Sequence, residues 1–226
     1  MTMNAHRFEL IETMRADSQG QIPLLAGHLQ RLQASAQMLG FSWPGSAAVE
    51  QAIKAALLNV TTVTGSIRVR LLMNPDGELQ LTTAPLPALL ARPLVALAAL
   101  TLDSRESLLQ HNTTQRPWYD PTTQWLAEHH KFFDLIFLNE RAELCEGSRS
   151  NIYIKKDNHW ITPPLCCGLL GGVMRQHLLT TGQVREAVLT RTDFEQPGAS
   201  LRLSNGLRDW FEVQRAESLF PGRDFP

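Results

Sequence analysis

The stretch from Glu146 to Arg175 most constrains what this chain can fold into. It reads Glu-Gly-Ser-Arg-Ser-Asn-Ile-Tyr-Ile, a short polar turn, Trp-Ile-Thr-Pro-Pro, and then Gly-Leu-Leu-Gly-Gly-Val-Met-Arg. Apolar and aromatic residues on both sides of a polar turn are typical of a hairpin, and a glycine pair before an apolar run is typical of a helix start. The segment therefore predicts a carboxylate at the start of a strand, a hairpin, and a helix whose first backbone amides are unpaired.

The bulk composition favours a globular protein and excludes several classes of function. The chain has 226 residues, 43% of them hydrophobic and 19% charged, which is enough for one large domain or two modest ones. Its net charge of −1 gives no electrostatic reason to expect nucleic acid or an anionic membrane as partner. The three cysteines have neither disulfide nor zinc spacing, and we expect reduced thiols, no metal and a cytoplasmic location. The apolar run 85–102 is broken by Arg92 and Pro93, so we expect no membrane span.

Hydrophobic periodicity and turn signals predict an α+β (mixed α/β) chain without internal repeats. The predicted helices span 24–39, 46–58, 120–130 and 172–179. The predicted strands span 8–14, 66–73, 78–83, 94–102, 132–138, 151–154, 159–161, 184–189, 200–204 and 210–213. A polar stretch without periodicity predicts a boundary: a smaller N-terminal domain over 1–103, a linker over 104–112 and a larger C-terminal domain over 113–226.

The motif order resembles the fold-type IV enzymes that use pyridoxal phosphate, the class IV aminotransferase family, and in particular the aminodeoxychorismate lyases. The 146–153 segment, the Leu-x-Gly-Val-x-Arg pattern at 170–175, the His-x-x-Arg-Leu at 28–32 and the opening strand at 10–15 carry this resemblance. It implies the two-domain architecture of the lyases and of D-amino-acid aminotransferase, with the cofactor held by the C-terminal domain. It also implies pyridoxal phosphate as cofactor, a small-molecule substrate and a homodimer.

The resemblance assigns roles in cofactor binding to several residues. Glu146 would pair with the pyridine nitrogen and keep the ring an electron sink. The phosphate cup and its supports would be formed by Arg31, Asn151, Gly172, Val173, Ser204, Asn205 and Gly206. Plainer roles stay open for each type of residue: a surface glutamate, a loop-to-helix glycine, an ordinary turn, or a solvated arginine on a helix. The family usually has glycine where this chain has Asp209.

One segment departs from the family at the residue that matters most. Residues 111–119 read His-Asn-Thr-Thr-Gln-Arg-Pro-Trp-Tyr, where the lyase-like pattern is His-Lys-Thr-Thr-x-Arg-x-x-Tyr. The candidate catalytic residues of this segment are Asn112, at the lysine position, Thr114, Arg116 and Tyr119. An amide cannot form a Schiff base or serve as a base near neutral pH. Of the four lysines, Lys131 is the one that the sequence leaves open as a substitute.

Three readings of function follow. In the leading one the chain is an aminodeoxychorismate lyase-like homologue, whose family reaction in the folate pathway converts 4-amino-4-deoxychorismate to p-aminobenzoate and pyruvate, with the chemistry impaired by the missing lysine. In the second it is a non-catalytic protein that binds pyridoxal phosphate or another phosphorylated ligand. In the third it resembles D-amino-acid or branched-chain aminotransferases. Asn112 fits a pseudoenzyme, an engineered variant or changed chemistry, and the further departures at Cys145, Gly171 and Asp209 favour natural drift.

Overall fold

The computed structural model describes residues 8–58, 60 and 65–216, which divide into two units. The first unit contains the chain up to Ala88 together with His111–Gln115. The second contains Leu89–Gln110 and the chain from Arg116 onward. In the described part of the chain, no helix is both long enough and apolar enough to cross a membrane.

The first unit is a three-stranded antiparallel sheet of order β1-β2-β3 with two helices packed on it. Its elements are β1 Leu10–Ala16, α1 Leu25–Leu39, α2 Ser46–Leu58, β2 Ile67–Met73 and β3 Leu79–Pro85. Buried and more accessible residues alternate along β2, as a sheet with one covered face requires. The outer edge of β1 is bonded by the segment around Asn112, because Ile11 donates its N–H to the Asn112 carbonyl at 2.7 Å.

The second unit is built on an eight-stranded sheet of order β6-β5-β4-β11-β10-β7-β8-β9. Its strands are β4 Leu94–Leu102, β5 Phe132–Asn139, β6 Leu144–Gly147, β7 Asn151–Lys156, β8 His159–Thr162, β9 Val184–Glu186, β10 Leu201–Asn205 and β11 Asp209–Arg215. Its helices are α3 Asp120–Glu128, α4 Val173–Thr180 and α5 Arg191–Glu195. Strands β4, β5, β7, β10 and β11 contribute most of a buried hydrophobic cluster.

The structure confirms the predicted helices and strands to within a few residues at their ends. It adds β6 and α5, which are too short for a periodic pattern; α5 is marked instead by a capping box between Thr190 and Asp193. The division into units differs from the expected boundaries. Strand β4 pairs in parallel with β5 and β11 of the second unit, and residues 111–115 belong to the first unit. Strand pairing between residues far apart in the sequence leaves no local pattern, so the sequence did not show which unit β4 would join. The linker was predicted only because the stretch 104–112 is polar and lacks periodicity.

Candidate active site

Glu146 is the centre of a buried polar corner in the second unit. The sequence placed this carboxylate at the start of a strand, but it lies near the end of β6. Its Oε1 accepts hydrogen bonds from the Tyr119 hydroxyl at 2.9 Å and from the Leu170 N–H at 3.0 Å. Its Oε2 accepts a bond from Asn151 Nδ2 at 3.1 Å. Asn151 Nδ2 also donates to the Leu170 carbonyl at 2.9 Å, so the loop before α4 is tied to β7. The structure thus brings together three residues that the sequence singled out separately: Glu146, Asn151 and Tyr119.

Burial controls the charge of this carboxyl. It raises the pKa of Glu146 to about 8, although the hydrogen bonds from Leu170 and Tyr119 favour the ionised form. Oε2 accepts one hydrogen bond from the described residues and so keeps acceptor capacity for another donor. A ligand that brings a cationic N–H group to Oε2 would favour the carboxylate.

Asp134 supports the turn that follows Glu146, and sequence reasoning missed it. Its carboxylate accepts bonds from Ser148 N–H at 2.9 Å, Arg149 N–H at 3.0 Å and the Ser150 hydroxyl at 2.6 Å. A Cβ on Gly147 would lie 2.2 Å from Asp134 Oδ2, so only glycine fits there. An acidic residue inside the largely apolar strand β5 was the available signal, since buried carboxylates need dedicated donors.

The glycine pair opens α4 as predicted. Gly172 is the N-cap residue, no side chain caps the helix, and Val173 is its first residue. A Cβ on Gly172 would lie 2.0 Å from Asn151 Oδ1, so glycine permits this close approach of the loop to β7. The uncapped first turn carries the partial positive charge of a helix N-terminus, which suits an anion.

The Ser-Asn-Gly loop ends β10. Ser204 is fully buried, and its hydroxyl shares a hydrogen bond with the buried hydroxyl of Tyr153 at 2.7 Å. Asn205 Oδ1 accepts the N–H groups of Leu207 at 3.0 Å and Arg208 at 2.9 Å, which closes a turn around Gly206. This is ordinary Asx-turn chemistry, and it fixes the loop independently of any ligand.

Asn112 belongs to the first unit and has a structural contact there. Its Nδ2 donates to the Ile11 carbonyl at 2.9 Å, beside the backbone bond that the same two residues form. Thr114 Oγ1 accepts the Glu9 N–H at 2.9 Å and is likewise used at the edge of β1. Lys131, in the second unit, is exposed after the end of α3.

Arg31 also lies in the first unit, in a buried polar cluster on α1. Its Nε and Nη2 donate to the two oxygens of Glu12 at 2.8 and 2.6 Å. His28 Nδ1 lies 2.6 Å from Glu12 Oε2. Burial of Glu12 opposes its ionisation, but the charge of Arg31 and the bond to His28 outweigh this and lower the pKa of Glu12. The guanidinium that was expected to reach a phosphate is therefore held rigidly by two bonds.

Comparisons with known proteins support the family resemblance and the fold. The model of the family "Amino-transferase class IV" matches residues 9–216. A provisionally named aminodeoxychorismate lyase of Schizosaccharomyces pombe is 30% identical over 208 residues, 88% of this chain and 86% of that protein. A provisionally named amino-acid aminotransferase of Mesorhizobium loti has a crystal structure with a TM-score of 0.82 and 32% identity, covering 92% of this chain and 100% of that one. A provisionally named branched-chain amino acid aminotransferase of Thermotoga maritima gives 0.80 at 22% identity, over 95% and 79% of the two chains. The α+β, fold-type IV architecture predicted from the sequence is confirmed.

Proposed function

Because this chain belongs to the class IV aminotransferase family, we propose that it is an aminodeoxychorismate lyase-like protein that binds pyridoxal phosphate without a covalent bond and whose family reaction is impaired. The buried Glu146 corner carries the proposal. It keeps a carboxyl with three hydrogen-bond donors around it and free acceptor capacity on Oε2, which is what a protonated pyridine nitrogen requires.

The residues of the second unit fit the non-covalent part of the cofactor. Glu146 Oε2 would accept the ring N–H, and Asn151 would hold the carboxylate and the α4 loop together. The uncapped start of α4 at Gly172 and Val173 would take the phosphate, with the 204–206 loop as a second source of donors. When bound, pyridoxal phosphate supplies an electron sink for charge developing on the Cα of an amino acid substrate.

The position of the expected lysine does not fit the covalent part. The Asn112 side chain is an amide that donates to the Ile11 carbonyl, so it supplies neither a nucleophile nor a base. Loss of a general acid–base group alone removes roughly 10²–10⁴ in rate. Lys131 is exposed and follows a helix end, a common place for a cation that serves the helix dipole. We therefore expect no replacement for the lysine.

Similarity to the yeast protein over 88% of the chain supports the lyase side of the family. The substrate would be 4-amino-4-deoxychorismate, the products p-aminobenzoate and pyruvate, and the setting the folate pathway in the cytoplasm. A homodimer belongs to the same proposal, and light scattering would test it. Two alternatives remain. The contact of Asn112 with β1 favours a purely binding protein, and the likeness to the Mesorhizobium loti protein favours an aminotransferase.

The test compares the unsubstituted protein with Asn112→Lys, using Asn112→Gln as an amide control. Each protein is mixed with pyridoxal phosphate, followed by absorption, reduced with borohydride and analysed by intact mass. We expect the unsubstituted protein and Asn112→Gln to bind the cofactor without a protein adduct, and Asn112→Lys to gain one adduct. An adduct on the unsubstituted protein would contradict the proposal, and Lys131→Gln would show whether Lys131 forms it. An absence of binding would also contradict it.

Turnover of Asn112→Lys separates the three readings. Formation of p-aminobenzoate from 4-amino-4-deoxychorismate supports an impaired lyase. Transfer of an amino group from a screened amino donor, without p-aminobenzoate, would replace the lyase by an aminotransferase. An adduct without either reaction would leave a binding protein.

A further inference from the structure

We propose that Arg116 binds the carboxylate of the ligand that occupies the Glu146 corner, so that this site selects ligands that carry a carboxylate. The inference rests on the proposed function, since it assumes that a substrate or product is held beside the cofactor.

Arg116 has hydrogen-bonding capacity that the protein does not use. Its side chain makes one hydrogen bond in the described part of the chain, from Nη1 to the Ser148 carbonyl at 3.4 Å, near the upper limit for such a bond. No acidic residue of the described ranges forms a salt bridge with it, whereas Arg31 and Arg141 are both ion-paired. A guanidinium has five N–H donors. The half-buried side chain of Arg116 therefore holds a positive charge and several donors in reserve.

The position of Arg116 places that charge at the candidate site. Its guanidinium carbon lies 5.9 Å from the centroid of the Tyr119 ring, and the Tyr119 hydroxyl donates to Glu146. The positive charge of Arg116 is close enough to favour the ionised form of Glu146. The backbone is also fixed, because Tyr119 donates its N–H to the Arg116 carbonyl at 3.0 Å in the turn that begins with Pro117. Contact with an aromatic ring leaves the edge of a guanidinium open for the paired bonds that a carboxylate accepts.

The acids of this corner do not neutralise Arg116. Burial raises the pKa of Glu146 to about 8, so the carboxyl is largely protonated near neutral pH in the absence of a cationic donor. If a pyridine N–H were bound, Glu146 would pair with that group instead. Asp134 is fully buried and already accepts bonds from Ser148, Arg149 and Ser150. The guanidinium of Arg116 therefore has no anionic partner among the described residues, and an anionic ligand would supply one.

The experiment measures binding of 4-aminobenzoate and of its neutral isostere 4-aminobenzamide to the full-length protein, with and without pyridoxal phosphate, by calorimetry. The variants are Arg116→Gln, which removes the charge, and Arg116→Lys, which keeps it without the planar fork. Arg105→Gln is the control, because Arg105 is exposed and paired with Asp103. Thermal unfolding of each variant establishes that it is folded.

We expect the natural protein to prefer 4-aminobenzoate. Arg116→Gln should lose about tenfold to a hundredfold in affinity for the acid and little for the amide, with Arg116→Lys between the two and Arg105→Gln unchanged. An acid-to-amide ratio that Arg116→Gln leaves unchanged would overturn the inference. So would a loss of pyridoxal phosphate affinity without a change in that ratio, because it would assign Arg116 to the phosphate. Failure of the proposed function has a different readout, which is the absence of cofactor binding by the natural protein.

Discussion

Tyr119 donates its buried hydroxyl to Glu146 Oε1 at 2.9 Å. The sequence made this tyrosine a candidate catalytic residue. In the structure its ring packs against Phe137, and the residue is 4% exposed. Its contact is with the carboxyl that would in turn hold the cofactor ring. We therefore predict that Tyr119 is a positioning residue that acts through Glu146.

Tyr119→Phe should raise the pKa of Glu146 further, because the hydroxyl stabilises the charged carboxylate. We expect roughly tenfold weaker binding of pyridoxal phosphate at neutral pH, and a binding curve displaced to higher pH. Titration by absorption across pH 6–9 measures both. Thr162→Val is the control, since it removes a buried hydroxyl that donates to the Ile152 carbonyl. Equal losses of cofactor affinity in both variants would contradict a specific role for Tyr119.

Glu146 should also give the cofactor-free protein a characteristic pH dependence. Its pKa is raised by burial from 4.5 to about 8, so between these values the folded state binds more protons than the unfolded state. The stabilising contribution is complete below pH 4.5 and is lost as the pH rises to about 8. Glu146→Gln removes this titration, and the altered hydrogen bonds of the amide do not depend on pH. The difference in unfolding free energy between the two proteins should therefore fall by a few kcal/mol from pH 5 to pH 8. Denaturant unfolding at each pH measures it, and a constant difference would sink the prediction.

The sequence predicted what local patterns encode. Apolar spacing predicted α1, and the polar turn predicted the β7–β8 hairpin. The motif around Glu146 also indicated which residues to consider as a candidate site, because it resembles a family pattern. Patterns of this kind need no knowledge of distant residues.

Long-range contacts could not be read in the same way. Asp134 precedes the turn that it holds by 14 residues, and the sequence does not say which buried acid will find donors there. The pairing of Asn112 with Ile11 spans 101 residues. The ion pair between Arg31 and Glu12 depends on how α1 packs on β1. The sequence therefore identified Arg31 as a candidate but did not identify Glu12 as its partner.

Gly172→Ala should disturb the corner through Asn151. The new Cβ would lie 2.0 Å from Asn151 Oδ1, and Asn151 bonds both Glu146 and the Leu170 carbonyl. We expect a loss of stability of about 1–3 kcal/mol from overpacking and weaker binding of pyridoxal phosphate. Gly171→Ala is a matched control, because its Cβ would meet only Leu165 Cδ2 at 3.7 Å. Thermal unfolding and cofactor titration of both variants test this, and similar results for the two would refute it.

Glu12→Gln should destabilise the first unit strongly. The carboxylate of Glu12 is 1% exposed and accepts bonds from Arg31 and His28, so its removal leaves a partly buried guanidinium without a counter-charge. Breaking a buried ion pair in this way costs about 3–5 kcal/mol.

The effect of Glu12→Gln should depend on pH. The pKa of Glu12 is lowered by Arg31 and His28 despite burial, so the contribution of Glu12 to stability is complete above pH 4.5 and is lost as the pH falls through the pKa of the folded state. The gap in stability between the natural protein and Glu12→Gln should therefore narrow in acid. Asp103→Asn, which breaks the exposed pair with Arg105, should leave the unfolding midpoint unchanged. Denaturant unfolding from pH 7 down to pH 3 measures all three proteins, and a gap that widens in acid would show that Glu12 is not the ionised partner of Arg31.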